Sequence, residues 1–215
     1  MHVEIQEQLV QAMCELEEEE VLRLAEELLA SGVEPLKVIE LCRDGFEIVG
    51  QRYERREYFL SSLILSDEIF KGVMELIDRS WPLPPERESE FGKVLLGAPL
   101  GDVHDIGKGI VSTLLRYSGF EVVDLGVSVK PSEFLDAAVE TGAGVVGISA
   151  LLTMAYEPLR ETVIGFEQKG LREKVKIMLG GGAVSQRVCE FAGADAWSRD
   201  ASDAVKFAKM FMGKE

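Results

Sequence analysis

A chain of 215 residues, 47% hydrophobic and 28% charged, is long enough for one large domain or two small ones and is neither disordered nor fibrous. Its formal charge of −15, from 38 acidic against 23 basic residues, opposes a surface for the phosphate backbone of nucleic acid, so neither nucleic acid nor an anionic membrane is expected as a partner. The three cysteines, Cys14, Cys42 and Cys189, are far apart and form no C-x-x-C pair, which points to free thiols in a reducing compartment rather than to disulfides, zinc or an iron–sulfur cluster.

From Val3 to Ser80 the sequence reads as helix only. Leu9, Met13 and Leu16, then Val21, Leu24, Leu28 and Leu29, recur at helical spacing between Glu-rich faces. The stretch Ser31-Gly32-Val33-Glu34-Pro35 ends one helix and starts the next, because Gly suits a C-terminal cap and Pro a first turn. Leu36, Ile39, Leu41, Phe46, Val49 and Tyr53 carry a third helix, and Leu60, Leu63, Ile64, Ile69, Val73, Leu76 and Ile77 a fourth. Short connections between them predict a four-helix bundle over residues 1–80.

Prolines and charges between Trp81 and Phe91 break every period, and residues 81–91 read as an interdomain linker. Beyond it, over residues 92–215, short β-branched runs alternate with amphipathic helices. Strands are expected near Lys93–Ala98, Glu121–Asp124, Val145–Ser149, Lys176–Leu179 and Ala196–Ser198. Helices are expected near Ile106–Tyr117, Pro131–Thr141, Glu157–Gln168, Val184–Phe191 and Ala201–Met210. This alternation predicts an α/β domain, a Rossmann-like parallel sheet of flavodoxin type covered on both faces. The beginning of the chain does not read as a secretory signal, and its longest apolar stretch, around Val145–Leu152, is far below the ~20 residues needed to span a bilayer. A cytoplasmic protein is expected.

Open α/β sheets bind ligands beyond the carboxyl ends of their strands, where strand order reverses. In a flavodoxin-type sheet that crevice lies between the first and third strands. The turn after the first holds Gly101-Asp102-Val103-His104-Asp105-Ile106-Gly107-Lys108, and His104 is the sole histidine apart from His2 near the amino terminus. In Asp102-x-His104 the carboxylate can accept the proton of one ring nitrogen and leave the other as a ligand or base. The plainer alternative is that Asp105 caps the following helix while His104 is solvated. The turn after the fourth strand, Gly180-Gly181-Gly182-Ala183, could cradle a phosphate or admit a planar group, and Gly147, Ser149, Gly181 and Gly182 would open a slot at neighbouring strand ends.

Taken together, Gly101-Asp102-Val103-His104-Asp105-Ile106-Gly107, Gly147-Ile148-Ser149-Ala150-Leu151-Leu152-Thr153 and Gly181-Gly182-Ala183 resemble the cobalamin-binding module of methionine synthase and of the corrinoid proteins of methyltransferase systems. The D-x-H-x-x-G, S-x-L and G-G elements stand in that family's order and spacing. The helical segment, including Tyr58-Phe59-Leu60, resembles the family's cap domain. The resemblance implies that His104 replaces the cofactor's dimethylbenzimidazole as lower axial ligand to cobalt, the base-off/His-on form, with Asp102 tuning its donor strength. It further implies that Val103, Asp105, Ile106, Gly107 and Leu151 contact the corrinoid and that the nucleotide tail enters the slot beside Ser149 and Thr153, with clearance at Gly181 and Gly182. Phe59 with Leu60 either shields the upper face of the corrin or belongs to the bundle core. Ala155 stands where methionine synthase has a serine, which leaves the third member of a His–Asp–Ser relay to water or a neighbouring hydroxyl.

The implied function is that of a methyl carrier, which takes a methyl group from a substrate-specific methyltransferase and delivers it to an acceptor methyltransferase. A reductive activase would be a third partner. The sequence holds no Cys/His cluster for substrate activation, so the chain is not expected to be self-sufficient as a catalyst. A cap that both protects cobalt and admits two partners would have to move. A cobalamin sensor is the competing reading, but no basic helix-turn-helix module accompanies the acidic balance. A mutase subunit would want a barrel partner, and a phospho-acceptor receiver domain would want acidic residues where the neutral Gly97-Ala98-Pro99-Leu100 stands.

Overall fold

The computed structural model describes residues 2–80, 91–198 and 200–213. The chain packs as two compact units, residues 1–85 and 86–215. The expected linker lies outside the described residues except for Phe91, whose ring packs on Phe120 with centroids 5.5 Å apart.

The first unit consists of α1 (His2–Glu15), α2 (Glu18–Ala30), α3 (Pro35–Glu54) and α4 (Leu60–Ser80). Pro35 sits in the first turn of α3, where its missing N–H costs nothing. Leu9, Met13, Leu24, Leu28, Ile39, Ile69, Phe70 and Ile77 are fully buried and fill the bundle. Gly45 permits a close approach of α1 and α3, since a Cβ there would lie 2.6 Å from the Met13 Cβ. Tyr53, Leu60 and Ile64, which the helical period assigns to the apolar faces, remain exposed. Leu16 has left the helix, with a left-handed φ of 63°.

In the second unit β1 (Lys93–Gly97), β2 (Glu121–Asp124), β3 (Val145–Ser149), β4 (Lys176–Gly180) and β5 (Ala196–Ser198) pair in parallel in the order β2-β1-β3-β4-β5. Between and after them run α5 (Ile106–Tyr117), α6 (Pro131–Thr141), α7 (Tyr156–Gln168), α8 (Gln186–Ala192) and α9 (Ala201–Phe211). Alternate strand residues serve opposite layers. Leu95, Val146, Ile148, Ile177 and Leu179 pack with Phe134, Leu159 and Phe166 of α6 and α7, whereas Val94, Leu96, Val145 and Met178 pack with Leu115 of α5 and Ala208 of α9. The sequence reading of a flavodoxin-type sheet therefore holds, with chain order reversing between β1 and β3. No helix among the described residues is long and apolar enough to cross a membrane.

Candidate functional site

The register of β1 with β3, in which Gly97 faces Ile148, brings the segments following these strands to one edge of the sheet. Gly101, at a left-handed φ of 85°, turns the chain after β1 and delivers Asp102 inward and His104 outward. Asp102 is fully buried while the His104 side chain is 45% exposed.

All hydrogen-bonding capacity of the Asp102 carboxylate is directed at this edge. Oδ1 accepts the ring Nδ1–H of His104 at 2.7 Å and the backbone N–H of His104 at 3.2 Å. Oδ2 accepts the backbone N–H groups of Leu151 at 2.7 Å and Leu152 at 3.1 Å. Burial pushes the Asp102 carboxyl up, but the bonds from the His104 ring and from the Leu151, His104 and Leu152 amides outweigh it and hold the group below its ordinary value. An ionised carboxylate only accepts, so Nδ1 carries the imidazole proton and the Nε2 lone pair is left outward.

The backbone amides occupy the place that the sequence reading gave to water or a hydroxyl. Ala155 is fully buried, in a short 3-10 turn formed by Thr153–Ala155, and contributes nothing polar from its side chain. The plain alternative for Asp105 also takes a different form. It occupies the N-cap position of α5, but its side chain makes no capping bond, and its carbonyl accepts the Gly109 N–H at 2.7 Å.

Around His104 the edge is apolar and open. Leu100, Val103, Val127, Leu151 and Met154 are 37–69% exposed, which is unusual company for a solvated loop histidine. Ile106 is half-buried, and Gly107 is exposed with nothing within 4 Å of where a Cβ would stand. Ser149 and Gly180 are register partners, as are Gly180 and Ser198, so small residues line up at the ends of β3, β4 and β5. Thr153 is exposed. Gly182 has an exposed backbone, and a Cβ there would meet only the flexible end of Leu151 at 2.8 Å. Gly181 is different: at φ 103° its Cβ would lie 2.3 Å from the Ala150 carbonyl oxygen, so this glycine is required by the turn itself. In the helical unit, Phe59 is 77% and Leu60 61% exposed, which removes both from the bundle core.

Several supporting residues carry no motif. Lys108, buried in the first turn of α5, forms an ion pair with Asp124 at the end of β2. The Tyr156 hydroxyl donates to the Ala183 carbonyl at 2.7 Å and ties the start of α7 to the glycine turn. Nothing in the sequence hints at either contact.

Residues 92–206 match the B12 binding domain, and residues 5–77 match the helical family also described as a B12 binding domain. A corrinoid protein of Desulfitobacterium hafniense is 32% identical over 216 residues, covering 100% of both chains. Dimethylamine corrinoid protein 3 of Methanosarcina acetivorans is 37% identical over 199 residues, 92% of each chain. Among solved structures, the Methanosarcina barkeri monomethylamine corrinoid protein superimposes with a TM-score of 0.86 at 32% identity, covering 97% of this chain and 98% of that one. The methanol:cobalamin methyltransferase complex of the same organism matches with a TM-score of 0.56 at 28% identity, over 99% of this chain and 81% of that one. The Asp102–His104 edge thus lies within a B12 binding domain preceded by that family's helical segment, and the chain belongs to the corrinoid proteins.

Proposed function

We propose that this chain binds one corrinoid in the base-off form with His104 Nε2 as the protein ligand to cobalt, and that it carries a methyl group between a substrate-specific methyltransferase and an acceptor methyltransferase. The observation that carries the reading is the ionised, fully buried Asp102 fixing the His104 tautomer at an apolar, open strand edge. The residues present fit such a group. A single outward imidazole suits a metal whose other positions a macrocycle fills, and the exposed Leu100, Val103 and Leu151 offer it an apolar seat. The open space at Gly107, and the exposed backbone of Gly182 overlain only by the flexible end of Leu151, leave room for a bulky ligand close to the backbone.

When bound, the corrinoid supplies the cobalt that accepts and releases the methyl group. The chain's own residues orient and tune. Asp102 keeps the proton on Nδ1 and so keeps Nε2 a neutral donor; its negative charge strengthens that donor through the shared hydrogen bond. The same carboxylate would also pair with an imidazolium at this position through its Nδ1–H. Leu151 and Leu152 hold Asp102 through backbone amides, so its position does not depend on their side chains. Ser149, Thr153 and Gly182 are assigned to the tail of the ligand, and Val103, Asp105, Ile106 and Gly107 to the corrin edge. Phe59 is assigned to shielding the reactive face. Names among the relatives, dimethylamine and monomethylamine corrinoid proteins and a methanol:cobalamin methyltransferase complex, support methyltransferases as partners. A reductive activase belongs to the same proposal, as the partner that restores inactive cobalt.

Reconstitution with hydroxocobalamin tests the reading. A red protein that keeps its colour through desalting is expected, with electron paramagnetic resonance of the cobalt(II) form showing coupling to one histidine nitrogen. His104→Ala should abolish that coupling and retain most of the colour. A colourless product, or coupling to the benzimidazole nitrogen alone in the unaltered protein, would overturn the assignment.

A further inference from the structure

Asp102 is held from two sides, and only one of them is its carboxylate. Beyond the end of β1, pairing with the chain after β2 continues without a break. Ala98 N–H donates to the Gly126 carbonyl at 3.0 Å, Val129 N–H donates to the Ala98 carbonyl at 2.9 Å, and Pro99 bridges Val129 in parallel. At the tip of this extension stands Ser128. Its backbone N–H donates to the Asp102 carbonyl at 2.9 Å, and its Oγ accepts the Gly101 N–H at 3.1 Å. One residue thus clasps the two-residue segment Gly101-Asp102 at its outer ends, the Gly101 N–H and the Asp102 carbonyl. The base of the same segment is pinned by Asp124, which pairs with the buried Lys108 and accepts the Gly126 N–H at 2.9 Å.

The backbone of Ser128 makes this arrangement informative. Its φ is 53°, in the left-handed region where residues other than Gly, Asn and Asp are uncommon. Two residues earlier, Gly126 takes φ 82° with the residue type that the conformation favours. A glycine at 128 would adopt the same backbone more cheaply and would keep the amide bond to Asp102. What the serine adds is the hydroxyl acceptor for Gly101, and Gly101 is the residue whose left-handed turn sends Asp102 inward and His104 outward.

We propose that Ser128 is a positioning residue for the His104 ligand: through Gly101 and the Asp102 carbonyl it fixes the loop that sets the Asp102–His104 hydrogen bond, and with it the direction of Nε2. The proposal rests on His104 as the cobalt ligand for its consequence, but the clasp is testable without any corrinoid.

The test uses the full chain with Ser128→Gly and Ser128→Asn. In the apo-protein, amide hydrogen exchange at Gly101 should become about fivefold faster in Ser128→Gly, as expected for loss of one hydrogen bond, while Ser128→Asn, whose side-chain carbonyl can accept from Gly101, should restore it. Proton–nitrogen correlation spectra of the apo-protein should show the Nδ1–H tautomer of His104 dominant in the wild type and less populated in Ser128→Gly. Thermal stability of Ser128→Gly should hold or rise, because the glycine relieves the backbone; a merely structural serine would give a loss of stability with no change in tautomer. In the loaded protein the histidine coupling should weaken in Ser128→Gly at unchanged corrinoid retention. Unaltered Gly101 exchange and an unaltered tautomer in Ser128→Gly would overturn the proposal. A wild-type loaded protein lacking histidine coupling would overturn the ligand assignment instead, with the apo measurements still deciding whether Ser128 clasps the loop.

Discussion

Replacing Asp102 by asparagine keeps the side chain's shape, exchanging one oxygen for an NH2 group, and removes the ability to accept from all sides. The carboxylate receives four N–H donors, two on each oxygen. Asparagine has a single carbonyl oxygen and an amide nitrogen that is itself a donor. If its oxygen faces Leu151 and Leu152, the NH2 group faces His104, and the imidazole must turn Nδ1 into an acceptor and place its proton on Nε2, where it blocks ligation. If the oxygen faces His104, the part-buried Leu151 and Leu152 amides face a donor. Hydrogen bonds to a charged acceptor are worth about 1.5–3 kcal/mol each, and a buried donor left without a partner costs about 1–3 kcal/mol. Either orientation forfeits at least one such term, so a loss of about 2 kcal/mol is expected, roughly a 30-fold fall in the His-on equilibrium. The assay is electron paramagnetic resonance of the reconstituted cobalt(II) form, titrated with free imidazole as a competitor. Histidine coupling at wild-type strength in Asp102→Asn, resistant to the competitor, would refute the argument that the carboxylate sets the tautomer.

Further expectations follow from the same geometry. Because hydrogen bonds lower the folded-state pKa of Asp102, its contribution to stability is complete above the ordinary carboxylate range, ~pH 4, and is lost as pH falls through the lower folded value; urea unfolding at neutral and acid pH should show a smaller acid loss in Asp102→Asn than in the wild type. Gly181→Ala should destabilise the apo-protein by about 3 kcal/mol or more, since the added Cβ meets backbone at 2.3 Å, whereas Gly182→Leu should fold and lose corrinoid retention; chemical denaturation and desalting of the reconstituted proteins separate the two. Phe59→Ala should leave the melting temperature nearly unchanged, because a side chain 77% exposed holds no core together, yet should hasten aerobic oxidation of the reduced, corrinoid-loaded protein. A drop of many degrees in its melting temperature would return Phe59 to the core.

Much of the fold is written in local patterns. Short β-branched runs separated by helical stretches place all five strands within a residue of their observed ends, and the central β1, β3 and β4, largely buried, leave dense apolar signatures. The ends of helices are less legible. Helix α8 begins at Gln186 rather than Val184 because Ser185 caps it, accepting the Val188 N–H. In the site, Asp102 and His104 are visible because their side chains act, whereas the partners of the Asp102 Oδ2 are backbone amides 49 and 50 residues away, which any residue but proline supplies. Ser128 is hidden for a related reason: its importance comes from a left-handed φ that a serine does not advertise. The exposure of Phe59 and Leu60 was undecidable from the helical period, since an apolar residue at the start of α4 reads the same whether it faces a core or solvent.

A brace made from main-chain donors separates two properties that proteins otherwise find hard to vary independently. Because Leu151 and Leu152 hold Asp102 with their N–H groups, a change in either side chain leaves the bonds that brace the imidazole's partner in place. Leu151 is 48% exposed on the rim beside His104, where ligand and visiting proteins would press. Recognition can therefore drift at this position while the electronic setting of the histidine stays fixed. The single substitution closed to both positions is proline, which deletes a donor and so links what the backbone had kept apart.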